Sequence, residues 1–281
     1  MRNFNIKRFW RTFRWYFIEN RRRLLSWCLG LALAFMLIES IFMISMLRQT
    51  ATFSVEGLSL QSVAVMSSFV FCAVVGVVAV FVAFSTIFSF LKTKQKRIAY
   101  LTLPATNVER YLAALLFAVV VWPICIFIAF ALGDTLRMLV FGLLGEGWLS
   151  SLRLIYDTFT LSFKSGWDIT WVGKAGFLLK FASWLWSCSL FILGGTWFRR
   201  GAFVIVTFAQ IAFTAFCSWL LIKLFGTNGQ IVIDMFDHIQ HAHVLSYLVI
   251  LAVTAVALFN FWLSYQIFKR FQIVPSKWTN I

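Results

Sequence analysis

A short run of acids and histidines is the first feature of this chain that could do chemistry. Asp234, Asp237, His238 and His241 follow the i, i+3, i+4, i+7 spacing of one helical face, and His243 lies nearby. Carboxylate and imidazole groups gathered on one face could hold a metal ion. More often such a spacing marks the wet face of an amphipathic hairpin outside a membrane. The second interpretation is favoured, and no metal site is assigned.

Polar residues inside long apolar runs are the second such feature. Glu39, Gln210 and Asn260 interrupt stretches that are otherwise hydrophobic. An ionisable side chain within a membrane segment is a candidate functional residue by default. A lone glutamate can equally form a hydrogen bond with a neighbouring helix. The sequence identifies no convincing partner for Glu39.

Signatures of hydrolases and of nucleotide-binding proteins do not occur in the sequence. It contains neither HExxH nor GxSxG, no paired intramembrane carboxylates, and no G-x-x-x-x-G-K-[ST] loop for ATP. The expectation is that the chain is not an enzyme and binds no cofactor itself. Any ATP, with its Mg, would be bound by a partner subunit.

The composition places the chain in a membrane. Hydrophobic residues make up 61% of the 281 residues and charged residues only 12%, against about 45–50% and about 25% in soluble domains. Such a chain has too little polar surface to cover a globule in water. Soluble enzymes, disordered proteins and disulfide-stapled secreted domains are therefore excluded. The five cysteines all lie in apolar runs without a CxxC pair, which indicates neither disulfides nor a thiolate metal site.

Six stretches are long enough to cross the hydrocarbon core, which takes about 20 apolar residues. Because runs of this length satisfy their backbone hydrogen bonds as helices, the expected fold is an all-α membrane protein with six transmembrane helices. The transmembrane domain is expected to cover residues 24–268. Its predicted spans are Leu24–Leu47, Ser62–Leu91, Tyr111–Gly133, Ala175–Phe198, Gly201–Phe225 and Val244–Phe268.

The distribution of Lys and Arg predicts the orientation. Eighteen basic residues lie in residues 1–23, in 92–110, at Arg199 and Arg200, and in the tail 269–281, whereas the opposite side carries seven. The positive side is expected to be cytoplasmic, with both termini inside. The net charge of +15 is then charge that faces anionic lipid. No nucleic-acid-binding module accompanies it, so no nucleic-acid partner is expected.

Residues 1–23 are expected to form a cytoplasmic interfacial amphipathic helix before the first span. A helix with a basic face and an aromatic face lies in the membrane interface, and its basic face meets headgroups or a protein partner. A simple anchor on the lipid surface is the alternative. The basic face carries Lys7, Arg8, Arg11 and Arg14, and the apolar face carries Ile6, Phe9, Trp10, Phe13, Tyr16 and Phe17.

The connection between the second and third spans, Lys92–Tyr111, has a recognisable internal order. Pro104 stops any helix that arrives from the N-terminal side. Thr106 and Glu109 then form an S/T-x-x-E capping box that opens the next helix. A short basic helix, a break at Leu103-Pro104 and a restarted helix are predicted, and a well-capped turn without further role is the alternative. On the other side of the membrane, residues 134–174 are expected to form the longest connection.

These features together resemble the permease subunits of ABC exporters, in the six-helix class with the type V exporter fold. The resemblance rests on the basic N-terminal helix, six spans with both ends inside, and one loop motif. The motif reads Arg97-x-x-x-Leu101-x-Leu103-Pro104-Ala105-Thr106-x-x-x-Arg110, ahead of the third helix. The end Phe268-Lys269-Arg270-Phe271-Gln272 is similar to the basic end of such permeases.

The resemblance implies a membrane subunit of the bacterial inner membrane that pairs with a second or related permease copy. Separate cytoplasmic ABC ATPase subunits would drive it. A non-transporting scaffold or sensor subunit is the alternative, and a metal-dependent membrane enzyme a weaker one. In the family the N-terminal helix and the second-to-third-span loop touch the ATPase. Carried over, this nominates Lys7, Arg11, Arg14, Lys94, Lys96, Arg97, Pro104, Thr106 and Glu109 as ATPase-contacting residues.

Overall fold

The structure is a computed structural model that describes residues 4–48, 60–88, 94–144, 150–153, 156, 171–198, 201–225 and 243–270. This part of the chain is 92% helical and contains no strand, which confirms the all-α fold class. Within these ranges six helices are long and apolar enough to cross a membrane. The chain is therefore a multi-pass membrane protein. The six segments are Ile6–Ser45, Val65–Ser85, Asn107–Leu143, Leu178–Trp197, Ala202–Leu220 and Tyr247–Lys269.

The helices are numbered here in chain order. A five-residue π-helical segment, Phe117–Val121, joins the fourth and fifth. The helices are α1 (Ile6–Arg48), α2 (Leu60–Ser85), α3 (Lys94–Leu101), α4 (Asn107–Leu116), α5 (Trp122–Leu143), α6 (Trp171–Trp197), α7 (Ala202–Phe225) and α8 (His243–Lys269).

Helix α1 is one uninterrupted helix of 43 residues. At about 1.5 Å per residue it is about 65 Å long, roughly twice the thickness of a hydrocarbon core of about 30 Å. The boundary expected at residue 23 is not a helix end. The basic segment is therefore continuous with the first span, because nothing in the sequence between the two halves breaks the helix. Its location at the membrane interface stays a prediction.

The third span is longer than the sequence predicted. The helical path begins at Asn107 and continues past Gly133 to Leu143, so the expectation that an outer connection starts at residue 134 is wrong. Pro123 lies in the first turn of α5 and has no N–H to donate to the preceding turn. The π segment accommodates this change, since the Trp122 N–H donates to the Phe117 carbonyl.

Helix α2 ends earlier than its predicted limit at Leu91. After Ser85 the chain turns, and the Thr86 N–H donates to the carbonyls of both Val82 and Ala83. The Ser85 and Thr86 hydroxyls also donate to the Val82 carbonyl. Side-chain bonds of this kind compete with the helical ladder and favour its end.

Contacts divide the chain into two compact units. The first comprises Met1–Arg8, Phe81–Leu112 and Gly166–Ile281, and the second Phe9–Val80 and Ala113–Ser165. In the first unit α6 packs against both α8 and α7. A Cβ at Gly195 would lie only 2.7 Å from the Ser85 carbonyl oxygen, so this glycine lets α6 approach the end of α2.

The second unit is built on the packing of α1 against α5. The rings of Tyr16 and Phe117 make an edge-to-face contact with centroids 4.7 Å apart. The rings of Phe35 and Phe130 make a contact of the same kind with centroids 5.7 Å apart. Tyr16 and Phe35 are both buried. A Cβ at Gly133 would lie 2.9 Å from the Ala32 carbonyl oxygen, so the two backbones come close at this point.

Candidate functional site

The turn between α3 and α4 has a defined backbone path. The Thr102 N–H still donates to Ile98 in helical fashion, at 2.9 Å, and the Ala105 N–H donates to the Leu103 carbonyl at 2.7 Å. The second bond closes a tight turn around Pro104, whose fixed φ suits such a turn. The predicted break at Leu103-Pro104 is confirmed.

The predicted capping box at the start of α4 is also confirmed. The Thr106 N–H donates to Glu109 Oε2 at 2.8 Å, and the Glu109 N–H donates to Thr106 Oγ1 at 3.3 Å. Each side chain thus satisfies a backbone donor at the helix start, where the helix dipole also favours a carboxylate. The direction in which α4 leaves the turn is fixed by these two bonds.

The second carboxylate oxygen of Glu109 binds the N-terminal segment. The Asn5 N–H donates to Glu109 Oε1 at 2.8 Å, and Arg8 Nη2 donates to the same oxygen at 3.1 Å. The Glu109 side chain is fully buried, whereas that of Arg8 is 27% exposed. One carboxylate therefore joins the beginning of α1 to the beginning of α4.

Buried groups inside the turn hold it to the adjoining helices. Arg110 Nη2 donates to the Leu103 carbonyl, and the Tyr100 hydroxyl donates to the Arg110 carbonyl at 3.1 Å. Burial raises the pKa of the Tyr100 phenol, so the hydroxyl keeps its proton and remains a donor. Pro104 is exposed, whereas the buried side of the same turn is held by the hydrogen bonds of Arg110 and Tyr100.

The nominated ATPase-contacting residues divide by exposure. Arg97 is 1% exposed and Glu109 is buried completely, so the expectation that these two side chains touch a partner is corrected. Both side chains are buried, and Glu109 supports the turn through its bonds to Thr106, Asn5 and Arg8. Lys94 lies in α3, Thr106 is half-buried, and the exposed members are Lys7, Arg11, Arg14, Lys96 and Pro104.

Glu39, which the sequence left without a partner, lies in a buried ionic cluster. Arg137 Nε donates to Glu39 Oε2 at 2.8 Å, and Arg137 Nη2 donates to Asp134 Oδ1 at 2.6 Å. All three residues are at most 1% exposed. Asp134 and Arg137 are not among the residues predicted from the sequence, since both were expected outside the membrane, although their i, i+3 spacing is that of neighbours on a helix.

Asp134 also caps the short helical turn at residues 151–153. Its carboxylate accepts bonds from the Ser151 N–H at 3.1 Å, from the Leu152 N–H at 3.2 Å and from the Ser150 hydroxyl at 2.7 Å. The Arg153 N–H in turn donates to Ser150 Oγ at 3.3 Å. The cluster thus joins α1 and α5 to the segment that follows them.

An apolar cavity of about 390 Å³ lies in the same unit as the cluster. Phe35, one helical turn before Glu39, and Phe130, one turn before Asp134, contribute to its wall, and so does Leu152. The remaining lining residues are Phe69, Cys72, Ala73, Gly76, Val77, Val80, Pro123, Ile126 and Phe127.

The other two intramembrane polar residues form hydrogen bonds between helices. Asn260 on α8 donates from Nδ2 to Ser189 Oγ at 3.0 Å, and Gln210 on α7 donates from Nε2 to Ser187 Oγ at 3.3 Å. Both partners lie on α6. Bonds of this kind stabilise helix association in lipid, so their role here is packing.

The Asp234, Asp237, His238 and His241 cluster lies outside the described residues. Within the part of the chain that the structure covers, no group of three or more His, Cys, Asp or Glu side chains is placed to hold a metal ion.

Comparison with protein families, with functionally characterised proteins and with solved structures finds no match to this chain.

Proposed function

We propose that the chain is the membrane permease subunit of an ATP-driven ABC exporter, driven by a separate cytoplasmic ATPase subunit. One observation carries the proposal. The two segments that the resemblance assigns to ATPase contact, the start of α1 and the turn before α4, are joined to each other at Glu109 by Asn5 and Arg8. A partner that meets one of them would also meet the other.

The strength of this junction suits a surface that must transmit force. Hydrogen bonds to charged groups contribute about 1.5–3 kcal/mol each, and Glu109 is fully buried while it accepts them. The capping box ties the same carboxylate to the first turn of α4, and α4 leads through the π segment into the third span. Displacement of the turn would therefore move a membrane helix.

The outer side of this junction is suited to a protein partner. Lys7, Lys96 and Pro104, which belong to the segments that adjoin Glu109, are exposed, and the apolar residues Ile98 and Val108 of the same segments are each 40% exposed. A basic surface with apolar residues among the charges complements an acidic and partly apolar face. The docking surface is defined here as Lys7, Lys96, Ile98, Pro104 and Val108.

Further elements of the proposal follow from the family resemblance and the charge distribution. The ATPase, not this chain, binds ATP and Mg. A second or related permease copy completes the transporter, and membrane lipids surround it. The positive side, with both termini, faces the cytoplasm of a bacterial cell, and the chain lies in the inner membrane.

Charge reversal at the docking surface tests the proposal. Lys7→Glu combined with Lys96→Glu should weaken ATPase attachment, because both lysines are exposed and the change reverses the charge that the acidic partner face would meet. Arg270→Glu is the matched control, since Arg270 is an exposed basic residue just beyond α8 and belongs to the same positive side. Expression, membrane insertion and co-purification of the ATPase from native membranes are the measurements.

The expected result is normal insertion of all variants and loss of the ATPase from the double variant alone. A double variant that retains its ATPase and its transport would remove the docking assignment. Failure to recover any ATPase, even with the unaltered chain, would favour a scaffold or sensor subunit instead.

A further inference from the structure

The charges of the buried cluster do not balance. Two carboxylates, Glu39 and Asp134, surround a single guanidinium, that of Arg137, and all three side chains are at most 2% exposed. With both carboxylates ionised the cluster would hold one excess negative charge away from water. A buried charge without compensation is strongly unfavourable, so such a group binds a cation or takes up a proton.

The hydrogen bonds identify which of the two acids is ionised. Both oxygens of Asp134 accept two bonds each, from Arg137, Ser151, Ser150 and Leu152. This is the environment of a stable carboxylate. Glu39 accepts a bond from Arg137 at Oε2 and lies beside the Ser151 hydroxyl, while its buried Oε1 has no hydrogen-bond partner among the described residues.

We propose that Glu39 is a proton-binding site within the membrane-spanning part of the chain, and that the ion pair of the cluster is Arg137 with Asp134. A proton at Oε1 of Glu39 makes the cluster neutral. The Oε2 atom of the protonated carboxyl still accepts the bond from Arg137. This assignment is independent of the proposed transport function and of any ATPase.

The surroundings of Glu39 supply no other compensating charge among the described residues. Asp134 and Arg137 face it from α5, the Cys72 thiol lies near it on α2, and the Ser151 hydroxyl lies near it from the following segment. Cys72 and Ser151 are neutral groups. Phe35 and Phe130 line the adjoining cavity. They keep the environment of Glu39 apolar, and an apolar environment favours the neutral carboxyl group over the carboxylate.

Infrared spectroscopy of the purified full chain in lipid nanodiscs tests the assignment. The unaltered protein at neutral pH should show the carbonyl stretch of a protonated carboxyl group, which shifts on exchange into D₂O. Glu39→Gln should remove this band. Glu19→Gln, which alters an exposed acid of the same helix, should leave it unchanged.

A third variant separates protonation due to the cluster from protonation due to burial alone. With Asp134→Asn, Glu39 becomes the only carboxylate beside Arg137, so it should ionise and the band should be lost although Glu39 is still present. A band that persists in Asp134→Asn would overturn the charge-balance argument. A band that persists in Glu39→Gln would overturn the assignment.

The unaltered protein alone can also refute the proposal, which matters if a variant fails to fold. Absence of any protonated carboxyl band at neutral pH would do so. As a second measurement, the contribution of Glu39 to the melting temperature should fall as the pH rises from acidic towards neutral, because the folded state keeps a proton on Glu39 that the unfolded state releases. The Glu39→Gln variant should lose this part of the pH dependence, and an identical pH profile would contradict the proposal.

Discussion

Replacement of Gly133 by alanine should loosen the contact between α1 and α5 next to the buried cluster. A Cβ at this position would lie 2.9 Å from the Ala32 carbonyl oxygen, 3.0 Å from Phe35 Cβ and 3.2 Å from the Met36 backbone nitrogen. Two of the three atoms belong to the backbone, so no change of rotamer relieves the contact. The helices would have to separate by about 0.5 Å to restore ordinary van der Waals distances.

The expected magnitude follows from that separation. A gap of about 0.5 Å forfeits about a quarter of the dispersion attraction of the contacts beside it, and overpacking of this kind costs about 1–3 kcal/mol. Alanine in a helix regains about 1 kcal/mol over glycine. The net loss should be about 0–2 kcal/mol relative to the unaltered chain, and about 1–3 kcal/mol relative to a helix glycine whose replacement by alanine meets no contact. The bond from Arg137 to Glu39, now 2.8 Å long, joins the same two helices and would lengthen.

Gly30→Ala is the matched control, because it lies in α1 and a Cβ there meets nothing within 4 Å. Thermal unfolding followed by tryptophan fluorescence in one detergent and at one scan rate compares the two. Gly30→Ala should melt at the temperature of the unaltered chain or higher. Gly133→Ala should melt several degrees lower than Gly30→Ala, at about 2–4 °C per kcal/mol. A melting temperature of Gly133→Ala equal to or above that of Gly30→Ala would refute the close approach of α1 and α5.

Three further outcomes are expected. Gly195→Ala should lower the melting temperature, because its Cβ would lie 2.7 Å from the Ser85 carbonyl oxygen. Gly76→Ala should not, because its Cβ would meet Ile126 Cγ2 at an ordinary 3.7 Å. Thermal unfolding under the same conditions compares the two variants. Thr106→Ala removes the bond from the Glu109 N–H and should cost only about 1 kcal/mol, so expression should stay normal while transport coupling falls, and a large loss of folded protein would contradict this. In a chain freed of its native cysteines, Arg153→Cys should react with an impermeant thiol reagent in intact cells and Lys96→Cys only after permeabilisation; the reverse pattern would show that the orientation is inverted.

The sequence predicted those features that depend on local patterns. Six apolar stretches of sufficient length gave the six spans, because hydropathy over about 20 residues is a strong signal. The Thr106–Glu109 capping box and the break at Pro104 were predictable for the same reason, since the interacting residues are three positions apart.

The pairing across helices was not predictable in the same way. Nothing near Glu39 in the sequence indicates Arg137, which lies 98 positions away, and the charge of Arg137 made residues after Gly133 look like a connection outside the membrane. A charged residue can continue a membrane helix where a buried partner neutralises it. Likewise, the structure buries the side chains of Arg97 and Glu109, and a linear motif carries no information on exposure.

The proposal that a separate ATPase drives this chain is tested most directly by isolation of the chain from native membranes. The chain carries an affinity tag, and the purified material is assayed for ATP hydrolysis and analysed by mass spectrometry. A P-loop ATPase subunit should co-purify in stoichiometric amount, and the complex should hydrolyse ATP, whereas the chain separated from it should not. Recovery of the chain without any nucleotide-binding partner, or ATP hydrolysis by the separated chain itself, would contradict the proposal.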